Sequence, residues 1–402
     1  MFAIILYPLK RLSMNHIDTQ LVHLGRKSAD EAFSVNPPLV RASTTVFPDL
    51  NTFKASYQGT TFETPRYGRS GTNTTFEFQS AMASICNTES CIATSCGLSA
   101  CAAVLSTYAN KDAHILIQND IYGPTRSLAE NELVKSGTKI EFFDNENDLQ
   151  YLINEHTSLI FIEIPTSLTM KMLDVRAIVK ISEKYDIPVA CDSTWGTPIF
   201  FDAHRLGINI SIHAATKYIN GHSDVMLGVI TGKYQDLEMT RNWCERYGVH
   251  AAPDCCWLAL RGLRSLSVRM KRHEENSLHI ANWLNEQPQV KSIAFPALPS
   301  NSQYALWKKQ FSGAAGPFTI ELQSCNESQY EHFINSLTLF GLGTSWGGFE
   351  SLIMPAIQHH LRSVSELSNK GRMVRLHIGL EDKNDLCADL EQAFMRLEKY
   401  ND

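Results

Sequence analysis

The stretch HAATKYINGHSD, residues 213–224, sets one lysine, Lys217, between Ala214, Ala215 and Thr216 on one side and Gly221, His222 and Ser223 on the other. A surface lysine usually keeps charged company. Small and hydroxyl neighbours instead leave room for something large to press against the amine. An amine screened from water in this way has a lowered pKa, and it can act as a base or form a Schiff base with an aldehyde. The stretch reads as the wall of a pocket.

Outward from it, residues 72 to about 240 alternate short apolar runs with amphipathic segments. DAHILIQND, TSLIFIEIP, IPVACDST, INISIHAATKY and VMLGVITGK are interleaved with CGLSACAAVLSTYAN and VRAIVKISEKYD. Strands that are nearly continuous hydrophobics between helices indicate a mainly parallel sheet covered on both faces, so the core is α/β. Residues 254–287, DCCWLALRGLRSLSVRMKRHEENSLHIANWLNEQ, carry apolar positions every three to four residues and predict one long helix. PFTIELQS and the terminal DLCADLEQAFMRLEKY then suggest a smaller α+β domain. The expected division is an extended arm over 1–71, an α/β domain over 72–262 and a C-terminal α+β domain over 263–402.

Composition narrows the function. With 402 residues, 44% hydrophobic content and a formal charge of -6, the chain is globular and has no basic stripe for nucleic acid. No run approaches the roughly 20 apolar residues of a membrane span. The ten cysteines lie mostly in apolar runs without a CxxC unit or metal-ligand spacing. They read as reduced thiols with no metal site, and a cytoplasmic location is expected. The start, MFAIILYPLKRLSM, has its apolar run before its charges, unlike a secretory signal, and the first thirteen residues read as an extension or a misassigned start.

In an open parallel sheet, ligands gather beyond the carboxyl ends of the strands. Gly97 heads an Ala-rich helix there, and the free N–H groups of such an end suit a phosphate. Asp192 ends the buried strand IPVAC, where a carboxylate can keep a proton on a ring nitrogen. Tyr122, after the strand AHILI, can stack on a flat ring. Taken singly, a plain glycine-started helix, a satisfied core acid and a turn tyrosine explain these residues as well. Together with Lys217 they supply what pyridoxal 5'-phosphate requires of a protein. No GxGxxG opens a helix with an acidic residue about 20 positions on, which disfavours a nicotinamide dehydrogenase. A non-catalytic scaffold remains the plain alternative.

These residues lie in motifs that resemble the Cys/Met-metabolism family of pyridoxal-phosphate enzymes, from about His16 to Tyr400. The motifs are RYGRSGTNTTFEFQSAM, AATKYINGHSD, ERYGVHAAPDCCWLALRGLRSL, SWGGFESLIMP and VRLHIGLED. The resemblance implies an aminotransferase-like fold of type I and pyridoxal 5'-phosphate linked to Lys217. It implies Asp192 on the pyridine nitrogen, Tyr122 on the ring, and Gly97, Leu98 and Thr216 on the phosphate. Tyr67 and Arg69 match residues that reach the phosphate of the neighbouring subunit, so a homo-oligomer, a homotetramer built as a dimer of dimers, is expected. Arg375 is implied for the substrate carboxylate, with Ser345 and Trp346 beside it, and Tyr247 falls near an active-site tyrosine of the family. Ala214, Ser167 and Trp346 follow the branch that cleaves L-cystathionine at Cβ, giving homocysteine, pyruvate and ammonia. The alternative within the family is a γ-acting lyase or synthase.

Overall fold

The computed structural model describes residues 16–26, 34–59, 63–356 and 372–398; the expected N-terminal extension lies outside them. Seven strands form the main sheet: β1 (Ser90–Thr94), β2 (His114–Gln118), β3 (Lys139–Phe143), β4 (Thr157–Glu163), β5 (Val189–Asp192), β6 (Ile210–His213) and β7 (Gly228–Gly232), in the order β1-β7-β6-β5-β4-β2-β3. The five strands from β6 to β3 run parallel, and β7 is antiparallel to both its neighbours.

Helices cover both faces because successive strand residues point to opposite sides and nearly all are apolar. Ile115, Ile117, Leu159 and Phe161 join one core with Ala100, Ala103 and Val104 of the helix Gly97–Tyr108. Leu116, Ile160 and Ile162 join the other with Phe78 and Met82 of the helix Asn73–Ile85 and Ile178 of the helix Val175–Glu183. Each of these side chains, fully buried, contributes about 1.5–3 kcal/mol of apolar burial, apart from the smaller alanines. Six of the ten cysteines are buried, and all ten are free thiols.

The second, smaller domain carries five strands: β8 (Val290–Ala294), β9 (Pro317–Leu322), β10 (Gly341–Leu342), β11 (Leu352–Pro355) and β12 (Met373–His377), in the order β10-β11-β12-β9-β8. The expected α/β architecture with a smaller α+β partner is thus present. One element differs. The long helical pattern of 254–287 is two helices, Pro253–Leu263 and Leu266–Asn285. At the junction the Arg269 guanidinium turns back to the Gly262 and Tyr218 carbonyls, at 2.8 and 2.6 Å. A Cβ on Gly262 would stand 2.4 Å from the Ile219 and Asn220 carbonyl oxygens. The break therefore lets the helix end abut the Lys217 segment.

Candidate active site

Three parallel strands end together at one cavity. The register pairs Glu163, the last residue of β4, with Asp192, the last of β5, and β6 leads directly into Ala214–Lys217. The cavity measures about 540 Å³. Gly97, Leu98, Tyr122, Asp192, Thr216, Lys217, Ser345, Trp346 and Arg375 all line it.

Lys217 Nζ donates to Ser345 Oγ at 2.8 Å and lies 5.4 Å from the centre of the Trp346 ring. Burial lowers its pKa to about 8. The Arg375 charge adds to that shift, and Asp192 acts against it. Asp192 Oδ1 accepts from the Thr194 hydroxyl at 2.5 Å and from the Thr194 N–H at 3.0 Å, while Thr194 Oγ1 accepts from the Ala214 N–H at 2.8 Å. Thr194 thus straps the carboxylate to the start of the lysine segment. Among the described residues Asp192 Oδ2 meets only the Cys101 thiol, at 3.8 Å. Burial raises the Asp192 pKa despite the Thr194 bonds, so a cationic partner reaching Oδ2 from the cavity would stabilise its charged form.

Gly97 begins its helix with Cys96 as N-cap, the sulfur accepting from the Ser99 N–H at 3.3 Å. The first-turn N–H groups of Gly97 and Leu98 have no carbonyl inside the helix to meet. A Cβ on Gly97 would stand 2.6 Å from the Ala214 Cβ, so glycine is what allows helix and lysine segment to meet. The Thr216 hydroxyl also lines the cavity and bonds the Leu227 carbonyl and N–H at 3.1 and 2.9 Å. Across the cavity, Arg375 is buried on β12 and donates from Nη2 to the Thr344 carbonyl at 2.5 Å and the Ser345 carbonyl at 3.3 Å. It has no carboxylate within ion-pair distance among the described residues. Burial lowers its pKa to about 10, with Tyr122 and Glu163 acting against this. A cradle of free N–H groups, a carboxylate open to the cavity, a low-pKa amine and a guanidinium lacking an anionic partner fit pyridoxal phosphate with an amino acid beside it.

Tyr67 and Arg69 do not line this cavity. Tyr67 is 51% exposed, and Arg69 donates to the Glu245 carbonyl at 2.8 Å. Tyr247 also lies elsewhere, stacked on Trp243 with ring centres 4.4 Å apart. Two cavity residues are additions to the expected set. Glu163 Oε2 accepts the Tyr122 N–H at 2.6 Å, and burial together with the Asp192 charge holds its pKa well above the usual range. Its signal was a lone acid at the end of an apolar strand. Thr194 is the other, and the hydroxyl two residues past Asp192 was its only sign.

A family model described as Cys/Met metabolism PLP-dependent enzyme matches residues 18–395. The chain belongs to that family. It therefore takes pyridoxal 5'-phosphate as cofactor, and the residues just described fit that group. Among curated relatives, the chain is 36% identical over 390 residues to a protein of Wolbachia pipientis wMel named L-alanine/L-glutamate racemase, covering 94% of this chain and 96% of the relative. It is 35% identical over 389 residues to cystathionine beta-lyase of Escherichia coli K12, covering 95% and 98%. A solved structure of cystathionine gamma-lyase from Lactobacillus plantarum, complexed with L-serine, superposes with a TM-score of 0.87 at 28% identity, covering 95% of this chain and 99% of that one. These names span several reactions; what they share with the family model is a PLP-dependent enzyme.

Proposed function

We propose that the protein cleaves L-cystathionine at the Cβ–S bond, with water, to homocysteine, pyruvate and ammonia, and that it also takes cysteine and related S-conjugates. The observation that carries this reading is a single cavity in which one amine of pKa about 8 faces a buried guanidinium, with Trp346 beside them. When bound, the cofactor supplies an electron sink that stabilises negative charge at the substrate Cα.

The chain's own residues do the rest. Gly97 and Leu98 would offer N–H groups to the phosphate, as would the Thr216 hydroxyl on turning from the Leu227 carbonyl, while Asp192 would hold the proton on the ring nitrogen and Tyr122 would cover the ring. Arg375 grips the substrate carboxylate with its planar fork. Lys217 would hold the cofactor before substrate arrives, and its Nζ, once free, would take the proton from the substrate Cα. Ser345 Oγ holds Nζ, and a pKa near 8 leaves about a tenth of the amine unprotonated at pH 7, far more than an ordinary lysine keeps. The thiolate then leaves from Cβ. Cleavage at the γ-carbon demands a second deprotonation at Cβ, hence a different placement of the substrate about the same lysine.

Product analysis after incubation with L-cystathionine tests the reaction. Pyruvate and homocysteine are expected. Dominant 2-oxobutyrate and cysteine would assign the γ-lyase reaction instead. Intact cystathionine alongside interconversion of alanine enantiomers would assign the activity named for the Wolbachia relative.

A further inference from the structure

Strand β12 turns two residues to one side, Arg375 into the cavity and His377 buried beside it, and only Arg375 has been given a task. Arg375 and His377 are two positions apart and so project from the same face of the strand. Arg375 holds the Thr344 and Ser345 carbonyls. His377 Nε2 lies 3.0 Å from the Gly347 N–H and 3.3 Å from the Gly348 carbonyl. The two contacts ask opposite things of Nε2, because the N–H can only donate and the carbonyl only accept; the shorter one, to the Gly347 N–H, assigns Nε2 as acceptor and puts the ring proton on Nδ1. That N–H is buried and has no partner among the described residues.

A second imidazole supplies the complement. His273, on the helix Leu266–Asn285, has Nδ1 at 2.8 Å from the Ile378 carbonyl and therefore donates there, which leaves its buried Nε2 as an unpaired acceptor. The two rings stand 5.3 Å apart between centres, and Tyr218, next to Lys217, packs against both. One orphan atom is a donor and the other an acceptor, and no direct bond joins them; one water between them would satisfy both and would favour the Nδ1–H tautomer of His377. Burial holds both imidazoles neutral. The space is shaped for them. A Cβ on Gly316 would stand 2.6 Å from His377 Nδ1, and Gly347, at φ +84, would bring a Cβ within 2.9 Å of the Lys217 Cβ.

We propose that His377 is a positioning residue: through the Gly347 N–H it holds the loop carrying Ser345 and Trp346 against Lys217, and His273 fixes the tautomer it needs to do so. The consequence for catalysis rests on the cavity being the amino-acid site proposed above. Loosening the loop releases Ser345 Oγ from Lys217 Nζ and Trp346 from its place against Tyr218, 5.6 Å between ring centres.

Hydrogen exchange of peptides spanning residues 343–350 in the purified holoenzyme, with no substrate present, tests the grip. His377→Leu should exchange there about tenfold faster than the parent, the effect of losing one buried hydrogen bond. KM for cystathionine should rise about tenfold while kcat falls less, because ground-state capture is what suffers. His377→Gln, whose amide oxygen can accept the same N–H, should recover both to within about threefold. Should His377→Leu not fold, the His377→Gln and His273→Phe proteins carry the test, with exchange near the parent's in the first and faster in the second. Unchanged loop exchange in His377→Leu, or exchange in His377→Gln as fast as in His377→Leu, would overturn the proposal, and so would faster exchange with KM unmoved. A protein that releases 2-oxobutyrate would refute the β-elimination reading and leave the exchange result standing.

Discussion

At the scale of single residues, the Lys217 amine shows how the cavity sets chemistry. With a pKa of about 8 it is half free base at pH 8, while an ordinary lysine near 10.4 is under about one per cent free base. In protein stripped of cofactor, Lys217 should therefore be the first lysine to react with a small uncharged amine reagent at pH 8, as located by peptide mass spectrometry. The sign of each neighbour follows. The positive Arg375 lowers this pKa and the negative Asp192 raises it, so Arg375→Leu should move the labelling profile to higher pH and Asp192→Asn to lower pH. A shift in the same direction for both would show that burial alone governs the amine. Lys217, Asp192 and Gly97 were legible in the sequence because each ends or begins an element at a strand's carboxyl end. Glu163 sits in the same kind of place but was not legible, since a lone acid ending an apolar strand is equally well explained as a satisfied core acid. His377 was unreadable for another reason: its partners, Gly347 and His273, are set by tertiary packing from two distant segments.

At the scale of elements, the sheet was the most readable part, because doubly covered strands must be apolar on both faces, and β2, β4, β5, β6 and the antiparallel β7 carry that signature while the edge strand β3, KIEFF, does not. The broken helix was not readable. Apolar spacing runs unbroken through Arg264 and Ser265, and the interruption comes from the close approach of Gly262 to the Ile219 and Asn220 carbonyls. The helix at Gly97 makes an equally tight approach, with consequences for the phosphate cradle. Gly97→Ala places a methyl 2.6 Å from the Ala214 Cβ and 3.0 Å from its Cα, both on a short segment tied by the Ala214 N–H to Thr194. The helix start must move outward. Overpacking of this kind costs about 1–3 kcal/mol, so the thermal midpoint of Gly97→Ala should fall by several degrees, and dialysis should strip the cofactor faster than from the parent. Retained midpoint and retained cofactor would mean that the N-terminus of this helix yields without cost and is not the phosphate seat.

At the scale of the whole molecule, the arm that precedes the main domain is difficult to explain for a chain on its own. Val46 is 89% exposed, Leu50 63% and Tyr57 62%, apolar surface of a kind that isolated soluble proteins seldom gather in one segment. Tyr67 and Arg69 lie at the end of that arm and do not line the cavity of their own chain. We propose that a second copy covers the arm and receives these two side chains at its phosphate cradle. The proposal has an arithmetic consequence. In a dimer of an Arg69→Ala subunit with a Lys217→Ala subunit, one site collects both defects and the other collects none. Random pairing makes half the dimers hybrid, so a mixture of two inactive proteins should regain roughly a quarter of the parent activity after subunit exchange. The measurement is turnover of the mixture against each variant alone, with the assembly followed by analytical ultracentrifugation. An active monomer would defeat the idea. So would a stable dimer whose mixed variants stay inactive after exchange, since each site would then depend on the Arg69 and Lys217 of one chain.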